Sequence, residues 1–142
     1  MDDLLPLGRQ VLALQPFSIL VGAELTDFSP GWAELTIPIT PQLIQQHGFV
    51  HGGVISYAAD NAMTFAGGSV LGPAVVTSEY KINYLKPAMG TVLIARATVI
   101  YSSETQAVCR CDVFVVDEGK ENLCAVSQGT IARIGKSSEA QA

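Results

Sequence analysis

The spacing of apolar residues predicts a short helix at the start of the chain and a strand after it. Within residues 1–14, apolar side chains recur every three or four positions, which is the period of a helix. This helix is expected to end before Pro16, because proline interrupts a helix interior. Residues 32–39 instead alternate between apolar and polar side chains, as a half-buried strand does. A polar connection over residues 41–49 follows.

The twenty residues 52–71 predict one long buried helix. They read GGVISYAADNAMTFAGGSVL and contain no basic residue. Paired glycines at Gly67 and the Gly72-Pro73 step are the two positions where this helix can end. The segment is long enough to cross a bilayer, but Asp60 near its middle would be costly there. A helix that is apolar on all sides is also typical of a deeply buried core helix, and we therefore predict no membrane insertion.

Strand-like segments fill the rest of the chain and determine the predicted fold class. Consecutive strands joined by short turns form an antiparallel sheet, and one apolar helix beside such a sheet gives an α+β fold in which the sheet wraps the helix. From the length we expect a single domain over residues 1–142, with a small polar tail at 135–142 that frays. The predicted strands are residues 75–85, 91–101, 105–116 and 122–134.

The composition is poor in charge. Charged residues make up 15% of the chain, against about 25% in an average soluble domain. So little charge is typical of a subunit that buries a large surface against another copy, and we expect a homo-oligomer. The net charge of −5, from 8 basic and 13 acidic residues, lacks the basic footprint of a nucleic-acid-binding protein.

The cysteines and the N-terminus indicate the cytoplasm. Three cysteines are an odd number, whereas secreted disulfide frameworks usually have an even number. Cys109 and Cys111 share one face of a strand, but no further ligands lie at metal-binding spacing, so we expect no metal. The start Met1-Asp2-Asp3 lacks the positive charge of a secretory signal.

Chemistry is predicted at the start of the long helix. Gly52 and Gly53 let a ligand approach backbone N–H groups that have no partner inside the helix. The helix dipole adds partial positive charge there, so these amides could hold the oxyanion of an acyl-transfer reaction. His51 lies beside them as an orienting or capping residue, although an ordinary structural role is equally open.

Asp60 is the second candidate, because it is the only carboxylate in the apolar helix. A buried carboxylate is costly unless it is paired or functional. Asp60 could act as a general base on water or as a nucleophile, and the sequence does not separate the two. Eight helical residues separate it from Gly52, a rise of about 12 Å. If the two cooperate, Asp60 must come from a second subunit across a two-fold axis.

Three segments, in this order, resemble those of PaaI-type acyl-CoA thioesterases of the hotdog superfamily. The resemblance covers about residues 15–134. It implies a hotdog fold, a homodimer that often pairs into a homotetramer, and hydrolysis of acyl-CoA thioesters at the dimer interface without a bound cofactor. The matching segments are His47-Gly48-x-x-His51-Gly52-Gly53, Asp60-Asn61-Ala62 and Lys81-Ile82-Asn83-Tyr84-Leu85-Lys86-Pro87-Ala88.

The resemblance also implies roles for individual residues. Asp60 would be the catalytic carboxylate, given by the partner subunit, and the N–H of Gly52 or Gly53 would polarise the thioester carbonyl. Gln45 stands where many relatives carry an asparagine, and its longer amide could place a water. A hydroxyl on the strand after the helix often assists, and of the two candidates we prefer Thr77 over Ser78.

Substrate contacts are expected from cations and from aromatic side chains. Lys86 is a candidate for the coenzyme A phosphates, and Tyr57 and Phe65 could line an acyl pocket. The other candidate cations, among which the sequence does not choose, are Lys81, Arg96, Arg110 and Arg133. Two other functions remain open. A hotdog dehydratase acting on hydroxyacyl thioesters would use His51 and Asp60, and a non-catalytic acyl-CoA-binding protein would keep the pocket without the chemistry.

Overall fold

Three α-helices and six β-strands make up most of the residues that the structure, a computed structural model, describes, namely 3–135. The predicted polar tail lies outside these residues, apart from Gly135. The helices are α1 (Leu5–Leu12), α2 (Pro16–Val21) and α3 (Gly52–Leu71). The strands are β1 (Glu24–Ser29), β2 (Trp32–Pro38), β3 (Val75–Tyr84), β4 (Val92–Ser102), β5 (Gln106–Asp117) and β6 (Lys120–Arg133).

The strands form one antiparallel sheet in the order β1-β2-β4-β5-β6-β3. Strands β5 and β6 form a hairpin whose turn residues Glu118 and Gly119 both have positive φ. Strand β3 follows α3 in the chain but pairs with β6, so it lies at one edge of the sheet. Its outer side pairs with no strand among residues 3–135, and ten residues of edge backbone are therefore available there.

Helix α3 lies against one face of the sheet and contacts all six strands. Its twenty residues give a length of about 30 Å. Ten of them are buried, and Met63 at the centre has no exposed surface. The inward positions of β2 and β4 are buried just as completely. The predicted α+β architecture, with a long central helix, an antiparallel sheet and a short N-terminal helix, is confirmed.

Two elements between residues 15 and 31 were not predicted. Pro16 begins helix α2 rather than only ending α1, since proline fits the first helical turn. Gly22 ends α2 in the left-handed conformation. Strand β1 has a register shift between Leu25 and Asp27, and this bulge breaks the alternation by which strands are recognised.

The three cysteines are free thiols in the core. Burial raises the pKa of the Cys109 and Cys124 thiols to about 11, and it raises that of Cys111 as well. They therefore stay neutral near pH 7 and pack as small apolar groups. Within the described residues, no helix combines the length and the hydropathy needed to cross a membrane.

Adjacent glycines in α3 provide a test of how closely the helix packs on the sheet. A methyl group added at Gly67 would lie 2.7 Å from Cβ of Ile131, whereas one added at Gly68 would meet only Val75 Cγ2 at 3.4 Å. Gly67→Ala should lower stability, because overpacking costs about 1–3 kcal/mol. Gly68→Ala should raise stability by up to about 1 kcal/mol through helix propensity. Urea unfolding of both variants measures the two effects, and equal shifts of the same sign would contradict this packing.

Candidate active site

Backbone hydrogen bonds in the loop before α3 fix the position of His51. The Gln45 N–H donates to the Phe49 carbonyl at 2.8 Å, and Ile44 and Val50 form an isolated β-bridge. The His51 N–H donates to the Leu43 carbonyl at 2.8 Å. Backbone bonds thus hold both ends of the segment, and the first helical residue has little freedom to move.

His51 is the N-cap of α3. Its Nδ1 accepts a hydrogen bond from the Gly53 N–H at 2.8 Å, so this amide already has a partner. Among residues 3–135, no acceptor lies within hydrogen-bond distance of the Gly52 N–H. Of the two amides predicted to hold an oxyanion, Gly52 is therefore the available donor at the positive end of the helix dipole.

A cavity lies in front of this helix start, and we call it the Gly52 cavity. Tyr84 closes one side of it by donating its hydroxyl to the Gly52 carbonyl at 3.0 Å. This role of Tyr84 was not predicted, although Tyr84 lies within the strand-turn segment that carried the resemblance. The residues that line this cavity include Gln45, His51, Gly52, Gly53, Tyr84 and Lys86.

Asp60 lies half-buried on α3 beside the first residues of β3. The Thr77 hydroxyl donates to Asp60 Oδ1 at 2.6 Å. The Thr64 hydroxyl, one turn further along α3, donates to the Asp60 carbonyl at 2.8 Å and lies 3.1 Å from the Thr77 hydroxyl. Thr64 was not predicted, because its contact with Thr77 depends on how β3 packs against α3.

The second carboxylate oxygen of Asp60 has no hydrogen-bond donor among the described residues, and no cation pairs with the group. The ion pairs within residues 3–135 both belong to Arg96, which contacts Glu34 at 2.9 Å and Glu121 at 2.7 Å. One carboxylate oxygen of Asp60 is thus held by Thr77, and the other is available to a ligand.

A bulge in β3 positions Thr77. The register against β6 shifts between Thr77 and Glu79, and Ser78 lies at the shift. Thr77 is half-buried against α3, whereas Ser78 is exposed. The structure therefore brings Thr77 to Asp60 and does not bring Ser78 there.

A network of polar side chains borders the cleft that contains Asp60, which we call the Asp60 cleft. The Tyr57 hydroxyl donates to Ser18, and the Ser18 hydroxyl donates to Gln15 Oε1 at 2.6 Å. Asn61 donates to the same Gln15 oxygen at 3.0 Å. Burial raises the pKa of the Tyr57 phenol, and the nearby Asp60 carboxylate raises it further, so the phenol stays protonated. Only Tyr57 of this network was predicted.

Phe65 lies outside both sites. It is buried, packs edge-on against Phe28 with ring centres 5.4 Å apart, and lines a third cavity beside α1.

The predicted site residues therefore form two separate groups in one chain. The Gly52 cavity contains Gln45, His51 and Lys86, whereas the Asp60 cleft has no lining residue in common with it. A rise of about 12 Å along α3 separates Gly52 from Asp60. Among residues 3–135, no group of three or more His, Cys, Asp or Glu side chains could hold a metal ion.

Comparisons with known proteins agree with the family that the sequence resembles. A family model described as "Thioesterase superfamily" matches residues 47–121, more than half of the chain. The Escherichia coli protein named acyl-coenzyme A thioesterase PaaI is 30% identical over 116 residues, which cover 81% of this chain and 80% of that protein. A protein named 1,4-dihydroxy-2-naphthoyl-CoA hydrolase from Listeria monocytogenes is 26% identical over 114 residues, covering 79% and 90% of the two chains.

Solved structures agree in fold. A thioesterase family protein from Silicibacter pomeroyi has a TM-score of 0.84 and 35% identity, covering 89% of this chain and 96% of that chain. The structure of E. coli PaaI has a TM-score of 0.81 and 26% identity, covering 90% and 91% of the two chains.

The His51 cap can be tested by its effect on stability. His51→Ala should lower the free energy of unfolding by about 1 kcal/mol, because an N-cap acceptor is lost. His51→Asn should recover most of that loss, since asparagine is a good N-cap residue. Urea unfolding measures both variants. If alanine and asparagine were equally destabilising, the bond to Gly53 would not be the reason for the effect.

Proposed function

This chain belongs to the thioesterase superfamily, and from that premise we propose that it hydrolyses acyl-CoA thioesters at a site shared between two copies of the chain. The family match supports thioester hydrolysis in general, and the site residues and substrate class are our proposal. The observation that best supports this proposal is the environment of the Asp60 carboxylate. This carboxylate has no cationic partner among the described residues, is held through one oxygen by Thr77, and keeps the other oxygen open to a cleft.

Asp60 activates the attack on the thioester carbonyl. As a general base it takes a proton from water, the oxygen adds to the carbonyl carbon, and the carbon–sulfur bond then breaks; the proton on Asp60 passes to the leaving thiolate to give coenzyme A. As a nucleophile it adds to the carbonyl carbon itself, the carbon–sulfur bond breaks to release the coenzyme A thiolate, and water then hydrolyses the mixed anhydride to the free acid and restores Asp60. In both cases the Thr77 hydroxyl orients the carboxylate, and its position on the β3 bulge fixes that orientation.

Gly52 stabilises the negative charge that develops on the carbonyl oxygen. Its N–H has no protein acceptor within residues 3–135, whereas the Gly53 N–H is bonded to His51. A preorganised amide at a helix N-terminus combines a hydrogen bond with the helix dipole. Gln45 lies in the same cavity and offers an amide that can position water.

A two-fold dimer brings the two groups together, because one chain holds them apart. The unpaired edge of β3 lies next to Asp60 and can pair with the same edge of a second copy. Around the Asp60 cleft, Leu14 is 81% exposed and Phe17 is 53% exposed. Such apolar residues are suited to burial by a partner. Pairing of two dimers gives the tetramer that the low charge content also favours.

The acyl-CoA substrate class rests on relatives and on charge. Two relatives have names that specify coenzyme A thioesters. Lys86 lines the Gly52 cavity and is the cation that we assign to the coenzyme A phosphates. The exposed Ser78 lies one residue beyond Thr77, where it can meet substrate. We place the protein in the cytoplasm, where three free thiols stay reduced.

A matched pair of variants tests the Gly52 amide. Gly52→Pro removes the N–H but suits the first helical position, and His51 before it already has a ψ of 132°, which a residue preceding proline prefers. Gly52→Ala keeps the N–H and adds a methyl group 3.6 Å from the Tyr84 ring. The proline variant should lose about 10²- to 10³-fold in kcat, as an oxyanion donor does.

The alanine variant should stay within about threefold of the wild type, since 3.6 Å is an ordinary contact. The readout is free thiol released from short, medium, long and aryl acyl-CoAs. Equal losses in both variants would assign the effect to the added side chain rather than to the amide.

Mixing two inactive variants tests the shared site. Asp60→Ala alone should lose at least about a hundredfold in kcat, as expected for a general base or nucleophile. When Asp60→Ala and Gly52→Pro chains are unfolded together in equal amounts and refolded, about a quarter of the sites should combine an intact Gly52 with an intact Asp60 from different chains. About a quarter of wild-type activity should therefore return.

Refolding each variant separately is the control. Mixed chains that stay inactive, while refolded wild type recovers, would place the site within one chain. A wild type that releases no thiol from any acyl-CoA would overturn hydrolysis and leave the dehydratase and binding alternatives.

A further inference from the structure

A third cavity, of about 340 Å³, lies between α1 and the C-terminal half of α3, and we call it the α1 cavity. This volume is within the range of pockets that hold small ligands. No charged side chain is found among the described residues that line it. Its apolar wall consists of Leu4, Leu7, Val11, Phe28, Phe65 and Val75.

The α1 cavity adjoins the Asp60 cleft. Gln15 and Thr64 line both of them. The Gln15 side-chain oxygen is held by Ser18 and Asn61, and the Thr64 hydroxyl is bonded to the Asp60 carbonyl. The Gln15 oxygen and the Thr64 hydroxyl at the junction therefore already have partners, and most of the other residues that line the cavity are apolar.

The length of the α1 cavity can be estimated along its α3 wall. Its α3 wall runs from Thr64 to Gly72, eight residues or about 12 Å of helix rise. An extended chain advances about 1.2 Å per bond, one third of the spacing per residue of an extended backbone. A linear chain of about ten carbons would therefore span the cavity from the junction to its end.

We propose that the α1 cavity holds the acyl chain of the thioester and selects linear chains of medium length, up to about ten carbons. The inference rests on the proposed function, because it assumes that the thioester carbonyl lies near Asp60. An apolar chain suits a wall without charge, and each methylene buried there strengthens binding.

Binding of non-hydrolysable S-alkyl-CoA thioethers tests the cavity independently of catalysis. By calorimetry, S-decyl-CoA should bind the wild type at least about fiftyfold more tightly than S-butyl-CoA, since six further methylenes are buried. S-hexadecyl-CoA should bind no more tightly than S-decyl-CoA, because the cavity ends near Gly72. In thiol-release assays, kcat/KM should rise with chain length up to about ten carbons and then level off.

Gly68→Leu fills the cavity and should remove this preference. The first carbon of the new side chain meets only Val75 Cγ2 at 3.4 Å, so the rest extends into free space. S-decyl-CoA should bind at least about tenfold more weakly, with S-butyl-CoA within about threefold. Val70→Phe adds bulk to α3 at an exposed position that does not line the cavity, and it should change neither affinity.

Val11→Trp fills the cavity from α1 instead, at a position that is 41% exposed, so the test does not depend on one variant folding. Val11→Trp should weaken binding of S-decyl-CoA at least about tenfold and leave binding of S-butyl-CoA within about threefold of the wild type. A wild type that binds both thioethers equally, or filling variants that weaken both equally, would overturn the inference. Selective decyl binding without hydrolysis would support the cavity and overturn the proposed function alone.

Discussion

Helix α3 satisfies its own backbone hydrogen bonds, so its apolar side can be buried against the sheet, and the rest of the structure depends on this burial. Ten of its twenty residues are buried, and alanine and glycine let the sheet approach closely. At Gly67 that approach leaves no room for a methyl group. The polar side chains of α3 lie where its burial is incomplete. Asp60 and Thr64 contact β3, whereas Tyr57 and Asn61 contact residues that precede β1.

The same burial explains why the chemical groups of one chain are separated. A donor at the first turn and a carboxylate two turns later are fixed on a rigid rod, and neither can move towards the other. One carboxylate oxygen of Asp60 accepts a hydrogen bond from the uncharged Thr77 hydroxyl, and the other stays open. A second copy with the opposite helix direction is the simplest arrangement that completes both halves.

The sequence predicted the parts of the molecule that have a regular period. The long apolar helix, the strands after it and the amphipathic first helix all appear close to their expected bounds. Helix α2 and strand β1 were missed because a proline and a bulge interrupt the period. Asp60 was recognisable from its isolation, whereas Tyr84, Thr64 and the Gln15 network were not, because their roles depend on contacts between elements distant in sequence. The bond from Gly53 to His51 likewise follows from loop geometry that no spacing reveals.

The α1 cavity has two walls, and residues of one wall can be substituted more freely than residues of the other. One wall is α3, whose residues also build the core and the reactive groups. The other is the N-terminal segment, which contributes Leu4, Leu7 and Val11 from a surface helix. Substitutions at Leu7 and Val11, which are 59% and 41% exposed, alter the shape of the cavity without changing Asp60 or Gly52. Under our proposal, substrate preference in this chain can therefore change in evolution through a few residues near its N-terminus, while the proposed reactive groups stay constant.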